Sequence, residues 1–414
     1  MNAPVGDSGA AGPAPWWHDA VFYRVDVRSF ADASGDGVGD LDGVRSRMGY
    51  LELLGVDALW LTALTASPLT DPQRGRAVDP VLGELDSFEA LVDEAHAAGL
   101  RVAMDVAVQR DRVDLLETTD HEVFEGAVRF WLGRGVDALR VAVAPGTAEP
   151  AGAAERAVLR ALAPIVADHP GRCIGVLVDA AWFEDSPDPE AAWDIGIDLR
   201  LGRTPFDAAE LRDVITRVLG SARALGVPAV WALSSEERVH PVSRFGGGAA
   251  GEARARALAL VTLGLPGVVG LETGEELGLP STGGRVTPSA RGPMPWEGDE
   301  APYGFSPVPG GWWPMSAEWA GYTVEAQLED PRSTLSLHRR ALELREEHPA
   351  LRGGEVSWFG APPGCFAFRR EPGELTCALN TGTEPVSLPP GEVLLTSGAL
   401  EDDRLPPNTA VWLI

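Results

Sequence analysis

GRGVDALRVAV, residues 133–143, reads as the end of a helix followed at once by a buried strand. Gly135 supplies the left-handed backbone that closes a helix. Val136 to Val143 then form an apolar run with one charged pair, Asp137 and Arg140. The phrase recurs as LLGVDALWL (53–61), AAGLRVAMDV (97–106), ALGVPAVWAL (224–233) and TLGLPGVVGL (262–271). Runs of this kind, without a polar alternate face, read as strands covered on both sides. Glycines at 55, 99, 135, 171, 226 and 264 mark the helix ends. Their spacing leaves room for one strand, one helix and loops in each unit.

Eight strands are expected, near 20–27, 56–64, 101–108, 136–144, 173–180, 194–201, 227–235 and 268–272. Alternating strands and helices in that number predict an α/β protein, a closed (β/α)8 TIM barrel. A doubly wound open sheet is the alternative, but no G-x-G-x-x-G follows the first strand. Leu41, Val44, Met48, Leu51 and Leu54 step along one helix face. Asp86 with Glu89 is expected to cap the helix carrying Phe88, Leu91 and Val92.

Residues 1–15 read as a disordered tail, and 16–351 as the barrel, which includes a Pro/Gly/Trp-rich loop region over 279–333 and a last helix over 334–351. Residues 352–414 alternate short apolar segments with turns, which predicts a small C-terminal antiparallel β domain, a β-sandwich.

The chain has 414 residues, 45% of them hydrophobic, and a net charge of −27. That charge repels phosphate backbones and anionic lipid, so neither nucleic acid nor a membrane is an expected partner. Every basic residue besides histidine is arginine. Three scattered cysteines, Cys173, Cys365 and Cys377, argue against a disulfide framework and for a reducing, cytoplasmic setting. The N-terminus lacks the basic start and apolar core of a secretory signal.

Several segments resemble α-glucosidases of the α-amylase family, nearest its oligo-1,6-glucosidase and trehalose-synthase branch. They are DAVFYRVDVRSFADASGDGVGDLDGV (19–44), YLELLGVDALWL (50–61), FWLGRGVDALRV (130–141), RFGGG (244–248), GEELGLP (274–280) and PWEGDEAPYGFS (295–306). The resemblance implies retaining chemistry at an α-glucosidic bond, which needs two carboxylates about 5 Å apart.

The residues depart from that chemistry. The nucleophile position, two residues after Arg140, is Ala142, and the acid/base position is Ala180. The Asn-His-Asp motif at the seventh strand is Ser235, Glu236 and Glu237, so the third acid becomes Glu237. The Asn-His pair after the third strand is Gln109 and Arg110; Asp105 and Arg140 are kept. The subdomain that follows the third strand in the family is much reduced, to QRDRVDLLETTDHEV (109–123). The loop after the second strand lacks the family's tyrosine–aspartate pair, with Asp71 beside the gap. Asp179 adjoins Ala180, but strand alternation aims it away from the pocket. Trp312 and Trp313 either stack on sugar rings or pin their loop. Glu275 and Glu276 are read as structural.

The loop DASGDGVGD (32–40) spaces Asp32, Ser34, Asp36, the Val38 carbonyl and Asp40 as oxygen ligands for a hard cation. A structural Ca2+ or Mg2+ is expected there, with a polar turn as the alternative, and no organic cofactor. The expected function is a non-hydrolytic pseudoenzyme that binds a saccharide or a protein partner. The alternative is an active hydrolase or transglycosidase that uses Glu237 with Asp105 or Asp179.

Overall fold

A computed structural model describes residues 14–62, 64–109, 113, 116, 120–143, 152–178, 192–235, 239–281, 292–311 and 313–414, except the side chains of 177 and 178. The strands of its first sheet are β1 (Val21–Asp26), β2 (Ala58–Thr62), β3 (Arg101–Val108), β4 (Ala138–Val143), β5 (Cys173–Val178), β6 (Ile195–Asp198), β7 (Val230–Ala232) and β8 (Val268–Glu272). The helices of this part are α1 (Val27–Phe30), α2 (Leu41–Ser46), α3 (Met48–Leu54), α4 (Leu85–Ala97), α5 (His121–Leu132), α6 (Ala153–Ala167), α7 (Ala208–Leu225), α8 (Pro241–Arg244) and α9 (Gly248–Gly264). α10 (Val324–Glu329) and α11 (Thr334–Glu347) follow.

All the pairings in this sheet are parallel, in the order β6-β5-β4-β3-β2-β1-β8-β7. β1 lies between β2 and β8, as in a closed barrel and unlike the doubly wound alternative. The seam between β6 and β7 is bridged by the turn Leu201–Arg203. A side chain on Gly202 would meet the Leu233 carbonyl at 3.0 Å, so the turn lies hard against the end of β7. Arg244 on α8 ties the turn down by donating to the Leu201 and Thr204 carbonyls.

The recurring GVDAL phrase has a mechanical reason. Each aspartate just ahead of β2, β4 and β6 accepts an N–H from the start of the strand before it. Asp57 takes Val21 N at 2.7 Å, Asp137 takes Val102 N at 2.9 Å and Asp194 takes Ile174 N at 2.8 Å. Asp19 does the same for Gly267 at the entry to β8, at 3.1 Å. Asp137 is fully buried and also meets His96, Arg101 and Arg172. His96 is therefore part of the barrel floor.

Gly55 and Gly226 close α3 and α7 in the left-handed conformation, as expected. Gly264 does not; it is the last residue of α9, and the positive φ falls at Gly267. Gly264 is small for another reason. A Cβ there would lie 2.8 Å from the Trp412 indole of the C-terminal sheet. The expected cap of Asp86 and Glu89 is also corrected: α4 starts at Leu85, which puts Asp86 inside its first turn. Leu41 to Leu54 form two helices broken at Arg47, with all five predicted apolar positions buried.

The C-terminal strands are β9 (Glu355–Phe359), β10 (Cys365–Glu371), β11 (Thr376–Asn380), β12 (Val386–Ser387), β13 (Val393–Thr396), β14 (Arg404–Leu405) and β15 (Thr409–Leu413). Five form an antiparallel sheet, β13-β15-β11-β10-β9, beside the pair β12-β14. Trp412 Nε1 donates to Leu260 O on α9 at 3.1 Å. The buried Arg370 reaches the carbonyls of Gly264 and Gly353, fixing the sheet to the barrel. No described helix is long and apolar enough to cross a membrane.

Candidate functional site

Alternate residues of the barrel strands face inward. Phe22, Ala58, Ala103, Ala138, Cys173 and Ile195 belong to one interior apolar cluster. Above it, toward the carboxyl ends, the next inward residues are charged or aromatic: Arg24, Trp60, Asp105, Arg140 and Glu272. Arg140 grips Asp105 with two bonds, Nε to Oδ1 and Nη2 to Oδ2, both 2.7 Å. Trp60 Nε1 donates to the same Oδ1 at 2.7 Å. Arg24 Nη1 reaches the Glu272 oxygens at 3.3 and 3.1 Å. The two guanidiniums lie 4.6 and 5.5 Å from the centre of the Trp60 ring, a cation–π arrangement. Each of the four charged side chains is about one-tenth exposed or less, so the layer survives only because its charges are paired.

Between this layer and the apolar floor lies a cavity of about 70 Å³, lined mostly by aliphatic side chains. Small-molecule sites usually enclose roughly 300–1,000 Å³. By that measure the cavity is too small to enclose a sugar.

At the mouth, β1 ends inward with Asp26, whose register partner on β2 is Thr62. Burial raises the Asp26 carboxyl above the usual carboxylate range; Arg24 below it and the Ser29 hydroxyl pull the other way. Ala142 follows Arg140 on the inward face of β4, half-buried and paired with Ala107 of β3. Ser234 and Ser235 line the interior cavity on the β7 side. The side chain that β4 presents inward beyond Arg140 is thus a methyl group.

Gln109 is exposed just past β3. Arg110, Asp179, Ala180, Glu236, Glu237 and Trp312 lie outside the described residues. β5 ends at Val178, so the described residues do not reach Asp179. Asp71 is spent on a turn: it accepts from Gln73 N and Arg74 N, which hold its carboxyl below the ordinary value. Sequence reading missed Arg24, Asp26, Trp60 and Glu272. For Arg24 the signal was available, as a charge inside the apolar run FYRV (22–25).

The 32–40 loop fastens itself. Asp32 accepts from Gly35 N, Gly37 N and the Ser34 hydroxyl. Asp40 accepts from Ala33 N and Ser34 N and caps α2 through Gly43 N. Asp36 accepts from Val38 N. Among the described residues no three His, Cys, Asp or Glu side chains converge as a cation cage. This geometry fits the polar turn better than the cage expected for Ca2+ or Mg2+. Glu276 is structural: fully buried, it accepts from the Tyr23 and Tyr50 hydroxyls at 2.7 and 2.6 Å.

An eight-stranded parallel barrel with its polar layer below the carboxyl mouth has the architecture of a TIM-barrel enzyme. The chain belongs to the α-amylase family: the model of the alpha amylase catalytic domain matches residues 25–111 and 201–354, more than half of the chain. Residues 351–412 match a domain of unknown function, DUF3459. The stretch between the two catalytic-domain matches carries β4, β5 and β6. A probable alpha-glucosidase of Rhizobium meliloti (strain 1021) is 26% identical over 89% of this chain and 90% of its own. A trehalose-6-phosphate hydrolase of Bacillus subtilis (strain 168) is 39% identical, but over 28% of this chain and 20% of its own. Among solved structures, the alpha-glucosyl transfer enzyme XgtA superposes with a TM-score of 0.76 at 25% identity, covering 97% of this chain and all of the other. A trehalulose synthase superposes with 0.81 at 22% identity and the same coverage, a likeness of fold.

Proposed function

We propose that this chain is a non-hydrolytic member of the α-amylase family that holds a saccharide without cleaving it. The observation that carries the reading is the Ala142 methyl on the inward face of β4, two residues beyond Arg140. A methyl group neither attacks carbon nor donates a proton. In subtilisin, removing the nucleophile costs roughly a million-fold in rate. Asp105 is a poor substitute, because Arg140 and Trp60 hold both of its oxygens. Asp26, at the inward end of β1, supplies a partner for sugar hydroxyls at the mouth. The three free cysteines support a reducing, cytoplasmic setting.

Calorimetry with maltose, trehalose and isomaltose tests this reading. The expected result is binding of at least one, with the sugar recovered intact. Failure to bind any of them rejects the saccharide reading.

A further inference from the structure

Behind β8, a small void of about 10 Å³ lies where α8, α9, the turn after β8 and α11 meet. Val242, Ala259 and Leu279 give it apolar walls, and three polar side chains line it, Glu275, His338 and Thr334, the last already bonded to Arg256 and Glu252. His338 is 1% exposed. Its Nδ1 lies 2.9 Å from the Thr334 carbonyl oxygen. A carbonyl oxygen only accepts, so Nδ1 carries the proton and Nε2 presents a bare lone pair. That Nε2 is buried and has no partner among the described residues. Burial also depresses the imidazole to a pKa of about 4, which keeps it neutral.

The void and the lone pair match one ligand. A water needs roughly 10–15 Å³ of such space and two or more polar partners. Glu275 Oε2 already accepts from the Ser234 hydroxyl at 2.7 Å, but a carboxylate has about four acceptor positions. We propose that one structural water sits in this void, donating one O–H to His338 Nε2 and the other to the Glu275 carboxylate. It ties the last barrel helix to the turn after β8.

A high-resolution crystal structure of the full chain, with ¹⁵N spectra of its histidines, tests the assignment. We expect one ordered water within hydrogen-bond distance of both groups, and an Nδ1-protonated His338. His338→Leu should lose that water, while His338→Gln, whose Oε1 also accepts, should keep it. A dry void, a proton on Nε2, or a water that persists unchanged in His338→Leu overturns the proposal. If neither variant folds, the wild-type density and spectra decide. None of these readouts depends on saccharide binding.

Discussion

At the scale of single residues, the ion pair below Ala142 has a calculable fragility. Asp105→Asn leaves the Arg140 guanidinium buried without its counter-charge, which costs about 3 kcal/mol or more. Urea denaturation should show that loss, and Arg140→Met in the same chain should recover much of it, because an apolar replacement for a buried pair is often neutral. Chemistry at the mouth follows the same local logic. Ala142→Asp alone returns one carboxylate of a required pair, so it should give no α-glucosidase turnover. On the proposed reading both acid positions are filled only with Ala180→Glu, and any regained activity should appear in that double variant first. Asp105, Arg140 and Ala142 were legible in the sequence because a strand phrase fixes their parity. Asp26 and Glu272 were not, because a charge at a strand end reads as solvated until a barrel closes around it.

At the scale of elements, strand number was legible because the glycine–apolar phrase is written five times, and because an apolar run must be covered on both sides. The boundaries were less so. β7 is Val230–Ala232, shorter than the apolar run 227–235, because a run records burial and the ladder records pairing. The interior cavity gives this scale its prediction. Gly270 on β8 faces the cavity, and a Cβ there would meet only the Ala232 methyl, at an ordinary 3.7 Å. Gly270→Ala should raise stability by about 1 kcal/mol, by burying a methyl group and restricting the unfolded chain. A shift of the denaturation midpoint upward supports this packing; a shift downward means the gap is smaller than described.

For the molecule as a whole, acid should act through His338. Its folded pKa of about 4 lies below the unfolded value near 6.5. The unfolded chain therefore binds the proton first, and this contribution is complete above pH 6.5 and is lost as pH falls toward 4. The loss is on the order of 3 kcal/mol, and the slope over that window should flatten in His338→Leu. That the chain folds as a barrel with a β domain on its flank was legible throughout; the proposal that it does not cut sugars rests on the identity of two side chains, Ala142 and Ala180. The most direct measurement is the hydrolysis rate of an α-glucoside by the purified full chain. The account predicts no release of glucose above the uncatalysed background. Release at an ordinary enzymatic rate, abolished by Glu237→Gln, would contradict it.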